Sequence, residues 1–192
     1  MSLPPSEIPL GAIRFNSDSH KLEYWNGSAW FQIKTFSPNL DGGARGLFLG
    51  GGYPNVQNVI DFITIPTAGN ATDFGDLSNT TLLTGGCSSR TRGLAAGTYP
   101  SATNVIDYVT IATTGNAQDF GDRTTTGFNL GGLSNETRGV FFGGHAPADR
   151  DVIDFVTIAQ TGNAVDFGDL ASATHGIIGC ASPTRGVMAG NS

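Results

Sequence analysis

The chain has 192 residues, a formal net charge of −6 at neutral pH, 39% hydrophobic residues and only 14% charged ones. Ten lysines and arginines against sixteen acids leave too little positive charge for a phosphate-backbone interface, so nucleic acid is excluded as a partner. No apolar run approaches the ~18–20 residues of a membrane-spanning helix, and 28 glycines among many Ser, Thr and Asn point to an all-β chain with many tight turns.

The opening MSLPPSEIPLG has neither the basic nor the apolar stretch of a secretory signal, so synthesis in a cytoplasm is expected. Residues 1–36 are predicted as a small β-meander. GAIRFNSDSHKLEYWNGSAWFQI alternates and turns twice, at NSDSH and at Asn26-Gly27, the strongest two-residue hairpin signal. Trp25, Trp30, Phe15, Phe31 and Ile13 are expected to cluster on one face. A meander of this size buries too little to stand alone, so these residues are assigned to docking or oligomerisation.

Residues 37–192 are written in repeats. NVIDFITIPTAGNATDFGD from Asn58 returns as NVIDYVTIATTGNAQDFGD from Asn104 and DVIDFVTIAQTGNAVDFGD from Asp151. Beside it, Arg45, Arg92, Arg138 and Arg185 each precede a glycine and recur every 46 or 47 residues, giving units at about 45–91, 92–137 and 138–184 with partial ends. Each unit is predicted to hold four short antiparallel strands. In the unit read in full, TGFNLGG and RGVFFGG bracket the turn LSNET, and DVIDFVTI is a strand buried on both faces. A turn at AQTGN and a short last strand, AVDFGDL, complete it. Four antiparallel strands in about 47 residues, with Gly pairs such as Gly85–Gly86 and Gly131–Gly132 ending strands, is the signature of a β-propeller blade. The predicted fold is thus all-β: a small N-terminal meander followed by three propeller-blade-like repeats.

The columns of the repeat carry most of the candidate chemistry. Leu40, Cys87, Leu133 and Cys180 share an apolar column, so the cysteines are expected to be small buried hydrophobes and not a disulfide. Asp61, Asp107 and Asp154 sit inside apolar strands, where a carboxylate needs a partner. The repeated arginines supply one, predicting structural ion pairs Arg92–Asp107 and Arg138–Asp154 within units. A calcium site from pairs such as Asp73 and Asp76 is the alternative, although the dense acidic loop of strong calcium motifs is missing. DFG at Asp73, Asp119 and Asp166 has no accompanying kinase motif, and its threefold recurrence marks a turn. His20, His145 and His175 show no metal-ligand spacing, so neither metal nor cofactor is expected. The repeats diverge most in one loop, where Tyr53, Tyr99 and His145 stand 7 or 8 residues after the arginine. These are the candidate receptor-binding positions, since aromatic loop tips on a uniform scaffold suit sugar recognition. The structural alternative is that the rings cap the ends of the sheets. Glu136 and the Asp149–Asp151 stretch break the repeat with carboxylates and are the one opening for a glycosidase-type acid/base pair.

GAIRFNSDSHKLEYWNGSAW, Gly11 to Trp30, resembles a segment common in bacteriophage tail-fibre and other virion proteins. Its layout is similar to the small trimerising hairpin at the end of phage fibritin. The repeats are similar to arrays in virion structural proteins of cyanophages, and their Gly-Gly pairs resemble those of Kelch-type blades. The resemblance implies a non-enzymatic virion component, such as a tail fibre or tail appendage involved in host attachment. It also implies a homotrimer, with other tail proteins and a host surface glycan as partners. A glycan-binding adhesin is the second reading and a polysaccharide depolymerase the third. The unfilled ends of the array are expected to meet another chain, a two-chain ring of six blades being the alternative to a trimer.

Overall fold

The computed structural model describes residues 8–18, 21–33, 44–52 and 54–190. His20, Leu40 and the candidate loop residue Tyr53 lie outside them. The described chain is all-β, and contacts divide it into two compact units, Met1–Pro38 and Asn39–Ser192.

The first unit is a three-stranded antiparallel meander of β1 (Ile13–Asn16), β2 (Lys21–Trp25) and β3 (Trp30–Gln32). Gly27, at φ +97°, allows the tight turn after Asn26, and Asn26 Oδ1 accepts hydrogen bonds from the amides of Ser28 and Ala29. The register sets Ile13 opposite Tyr24, Phe15 opposite Leu22 and Tyr24 opposite Phe31. Because side chains alternate along a strand, these five share one face, and Trp25 and Trp30 pair on the other. The expected single aromatic cluster is therefore split in two. Trp25 is buried with its ring 5.5 Å from that of Trp30, over which the Arg14 guanidinium lies at 4.2 Å. Ile13, Phe15 and Phe31 stay 64%, 62% and 48% exposed.

Among its described residues the second unit holds four antiparallel sheets in sequence. β4 (Arg45–Gly51), β5 (Gln57–Thr64) and β6 (Thr72–Asp76) form the first. The second comprises β7 (Gly85–Ser88), β8 (Arg92–Ala96), β9 (Thr103–Thr110) and β10 (Gln118–Gly127). The third is β11 (Gly131–Ser134), β12 (Arg138–Phe142), β13 (Arg150–Thr157) and β14 (Val165–Thr174), and the last is β15 (Ile178–Ala181) with β16 (Gly186–Ala189). Each is a meander of consecutive strands, and the described sheets do not close into a ring. The four-stranded sheets are phased about one strand earlier than units counted from the arginines. The Gly pairs open β7 and β11, where they were expected to end strands. The reason is steric. A Cβ on Gly132 would fall 2.3 Å from the carbonyl oxygen of Gly86, so β11 approaches β7 there only as glycine, while one on Gly131 would strike the ring of Phe142 in its own sheet.

The DFG triplets are β-bulges. In each outer pair of strands the register jumps at the same place: Asp61 faces Asp73 while Ile60 faces Gly75, leaving Phe74 as the extra residue. Phe120 and Phe167 hold the same position in the next two sheets. The glycines take φ of +147°, +142° and +136°, and Asp119 and Asp166 accept the amide of the glycine two residues on.

The bulge is also a seat for the following sheet. Gly115 and Ala117 donate their amides to the carbonyls of Phe74 and Asp76, and Asn116 Oδ1 accepts the amide of Asp76. One unit later Gly162, Ala164 and Asn163 do the same to Phe120 and Asp122. The backbones touch so closely that a Cβ on Gly75 or Gly121 would lie 2.5 Å from Gly115 or Gly162. Each junction closes over a hydrophobic core. Ile60, Phe74, Leu77, Ala95 and Val109 fill the first; Leu94, Ile106, Phe120, Phe141, Val156 and Ile158 are the main side chains of the second. Phe74 and Phe120 are accordingly 3% and 2% exposed. Phe167, with no such unit against it, is 56% exposed.

Candidate functional site

The loops that the repeat comparison singled out do converge. Tyr99, Phe128, His145 and His175 form a continuous row, with ring centroids 5.0, 5.5 and 5.4 Å apart. Tyr99 and His145 come from the loops after β8 and β12, and Phe128 and His175 from the links that lead into β11 and β15. Backbone bonds fix the row. Phe128 and His145 exchange amide–carbonyl bonds in both directions, and Gly144 donates to the carbonyl of Thr174. Gly143 and Gly144 make the close approach possible at φ +62° and +106°; a Cβ on Gly143 would lie 2.7 Å from the Thr174 oxygen.

At the histidine end of the row sits Asp149, which the sequence offers, with Glu136, as the opening for an acid/base pair; the structure sets it instead between two imidazoles. Its Oδ1 lies 2.7 Å from Nδ1 of His145 and 2.8 Å from Nδ1 of His175. The hydrogen bond from His145 is the main cause that holds the Asp149 carboxyl below its usual pKa, with partial desolvation opposing and His175 adding to it. Among the described residues these three side chains are the one group of metal-ligand type with ligand atoms within 4.8 Å of one another. The aspartates of the DFG bulges form no such group, and Asp119 and Asp166 are occupied by local amides.

The predicted ion pairs within units are not formed. The register places Arg92 opposite Thr110 and Asp107 opposite Ala95, too far along the strands to meet. Both columns instead reach between sheets, in opposite directions. Arg92 stacks on Tyr108 of its own sheet at 4.6 Å and donates Nη1 to the carbonyl of Ile158 in the following one. Arg45 repeats this with Phe62 and Ile111. Asp107 looks backward and accepts bonds from the amide and hydroxyl of Ser78 in the preceding sheet, at 2.9 and 2.8 Å. Asp154 likewise accepts from Thr124 at 2.5 Å. Arg138 lies over the Phe155 ring at 4.3 Å and does not pair with Asp154.

Asp154 does meet an arginine, but a different one. Arg123, which stands where the neighbouring repeats have Leu77 and Leu170, brings Nη2 to 2.9 Å from Asp154 Oδ2, with both side chains fully buried. The contact is an ion pair rather than an aligned hydrogen bond, and Nε and Nη1 of Arg123 have no hydrogen-bond partner among the described residues. Burial pulls the Arg123 pKa below its ordinary value, and the charge of Asp154 opposes that fall. The uncommon arginine in an otherwise apolar column was the signal in the sequence.

Other candidates fall away from chemistry. Glu136 is exposed and pairs with exposed Arg90 at 3.1 Å. Cys87 and Cys180 are free, but Cys180, at the edge strand β15, is exposed and not buried as its column predicts. Cys87 is partly exposed as a residue, but its Sγ turns onto Gly139, and burial pushes its thiol up to about 12 against a weaker lowering by the backbone of Val140. At the opposite end of β8 from Tyr99, the hairpin turns at 88–91, 134–137 and 181–184 border a polar groove of about 400 Å³. No helix among the described residues is long and apolar enough to cross a membrane. A scan against protein-family models finds no match for this chain, and a search of curated proteins finds none either.

Proposed function

We propose that the chain is a structural component of a phage virion, in a tail fibre or tail appendage, built as a homotrimer through its N-terminal meander. The observation that carries this is the solvent-exposed apolar face of the meander. Ile13, Phe15, Leu22, Tyr24 and Phe31 stand together on one side of a three-stranded sheet, each at least 40% exposed. So large an apolar share of so small a sheet is a surface for association, and its layout is like that of the fibritin hairpin, which trimerises. The repeats then form a rigid array carried by that module. Consecutive meanders whose first strands, β7, β11 and β15, lie side by side support reading them as propeller-type blades. Exposed Phe48 and Ile65 on the first sheet and Val165 and Phe167 on the third supply further apolar surface for contact with additional copies or tail proteins.

Host attachment falls to the loops, and the row from Tyr99 to His175 favours a second reading as a glycan-binding adhesin. Tyr99 is 37% exposed beside polar Thr98 and Ser101, the mixture that sugar binding uses. No enzymatic role is proposed. Native mass spectrometry of the full chain tests the assembly: a trimer is expected, and Phe15→Ser with Phe31→Ser should convert it to monomer without loss of β signal in circular dichroism. A wild-type monomer at micromolar concentration, or an oligomer that survives both substitutions, overturns the proposal. A glycan array with Tyr99→Ala as control decides the second reading.

A further inference from the structure

The third repeat departs from the second at one place in space. The loop Gly97–Thr103 of the second, GTYPSAT, has neither histidine nor acid. Its counterpart, Gly143–Arg150, brings in His145 and Asp149. The link that follows the next strand pair changes as well, since His175 stands ten residues before Arg185 where Phe128 stands ten before Arg138. Each change alone would be a surface substitution. Together they convert an aromatic contact, Tyr99 on Phe128, into two imidazoles and a carboxylate converging on one point.

We propose that His145, Asp149 and His175 bind a divalent transition-metal ion of the zinc, cobalt or nickel type. The two Nδ1 atoms both point at Asp149 Oδ1, from 2.7 and 2.8 Å, and the ligand atoms all lie within 4.8 Å. With the ring protons on Nε2, both Nδ1 lone pairs are free to coordinate. Ligand atoms about 2.1 Å from a tetrahedral ion stand about 3.4 Å apart, so entry of the ion spreads the two nitrogen–oxygen contacts by about 0.6 Å. The three side chains retain 36%, 27% and 38% of their solvent exposure, so small side-chain rotations supply that movement without disturbing a packed core. Two imidazole nitrogens select a borderline transition metal over calcium or magnesium, which take oxygen ligands. Three protein ligands leave room for water, or for a donor from a bound partner, in the remaining position.

The site would clamp the loop after β12 to the link into β15, two segments otherwise held by the backbone bond from Gly144 to Thr174. The arrangement without metal is a simple staple in which Asp149 accepts two imidazole N–H groups, and the experiment separates the two. Full-length protein stripped with chelator and dialysed at pH 7.5 is titrated with zinc chloride in a calorimeter and with cobalt(II) by visible absorption. The expected result is one ion per chain, a cobalt d–d spectrum of low-coordinate intensity, and a melting temperature that rises with zinc. His145→Tyr with His175→Phe restores the side chains that the fold accepts at Tyr99 and Phe128, and should abolish that stoichiometry and spectrum. Asp149→Asn should weaken zinc binding at least tenfold, and gives an independent reading if the double variant folds poorly. A wild-type chain that binds no zinc, or a one-ion stoichiometry and spectrum that persist in both variants, overturns the proposal.

Discussion

Replacing Arg123 with leucine gives the second repeat the residue that its neighbours carry as Leu77 and Leu170, and by that measure the change looks harmless. The structure predicts otherwise. Asp154 is fully buried, and after the substitution its Oδ1 keeps the hydroxyl of Thr124 while its Oδ2 loses the guanidinium at 2.9 Å. Breaking a buried pair from one side costs roughly 3–5 kcal/mol, because the remaining charge is left uncompensated. None of the three guanidinium nitrogens makes an aligned hydrogen bond among the described residues, so release of the arginine's own desolvation returns part of this, and the lower end of the range is expected. For a chain of this length about 3 kcal/mol corresponds to a fall of roughly 6–12 °C in melting temperature. The assay is a double-mutant cycle of Arg123→Leu, Asp154→Asn and both together, followed by urea denaturation and calorimetry. Removing both charges should recover most of the loss, since the amide side chain of the Asp154→Asn variant still offers an oxygen to Thr124, so the coupling between the sites should exceed about 1 kcal/mol. If Arg123→Leu alone is as stable as the parent, the pair does not hold Asp154 and the reasoning fails.

Two further outcomes follow from the junctions. Gly121→Ala should destabilise the chain by several kcal/mol, since it sets a methyl 2.5 Å from the Gly162 backbone at φ +142°, whereas Gly168→Ala, at φ +136° with open space around it, should cost only the backbone strain of about 1–3 kcal/mol; equal melting points for the two variants would show that the seat is not closed. With a thiol reagent at pH 8, one cysteine per chain should react quickly, Cys180, while Cys87, its pKa about 12 and its sulfur against Gly139, should wait for denaturant; two fast thiols would contradict that burial. The same shift carries a sign: a thiol that ionises later in the folded than in the unfolded chain contributes stability that is full below pH about 8.5 and lost progressively above it.

Strand identity was legible because β-branched runs such as Val152–Ile158 recur with Gly-Asn turns behind them, and both signals are local. What lay between sheets was not. Arg92 and Asp107 belong to the same repeat by sequence distance, yet Arg92 reaches forward to Ile158 and Asp107 backward to Ser78, which depends on how sheets stack and not on spacing. The Gly pairs read as strand ends because glycine is a poor strand former; only the close approach of Gly132 to Gly86 shows why they open strands instead. In the meander the alternation was visible, but which face Trp25 shares with which neighbour depends on the hairpin register, and pairing Phe15 with Leu22 places the tryptophans opposite Phe15. The candidate metal group was hidden by distance along the chain. It became visible only when the second and third repeats were laid on each other and both histidines fell on aromatic positions.

The glycine-to-glycine seat at the first two DFG bulges has a consequence for how such an array changes over generations. The seat itself is made of carbonyls, amides and one asparagine, so its own hydrogen bonds ask little of other side chains, although the core beneath it does. A repeat that is duplicated, deleted or exchanged by recombination meets the same backbone seat, and has only its core side chains and buried pairs such as Arg123–Asp154 left to match. The loops after β8 and β12 lie outside that seat, so they are free to diversify while the joint stays interchangeable. A lineage can therefore alter the length of the array and the identity of its tips as largely separate traits.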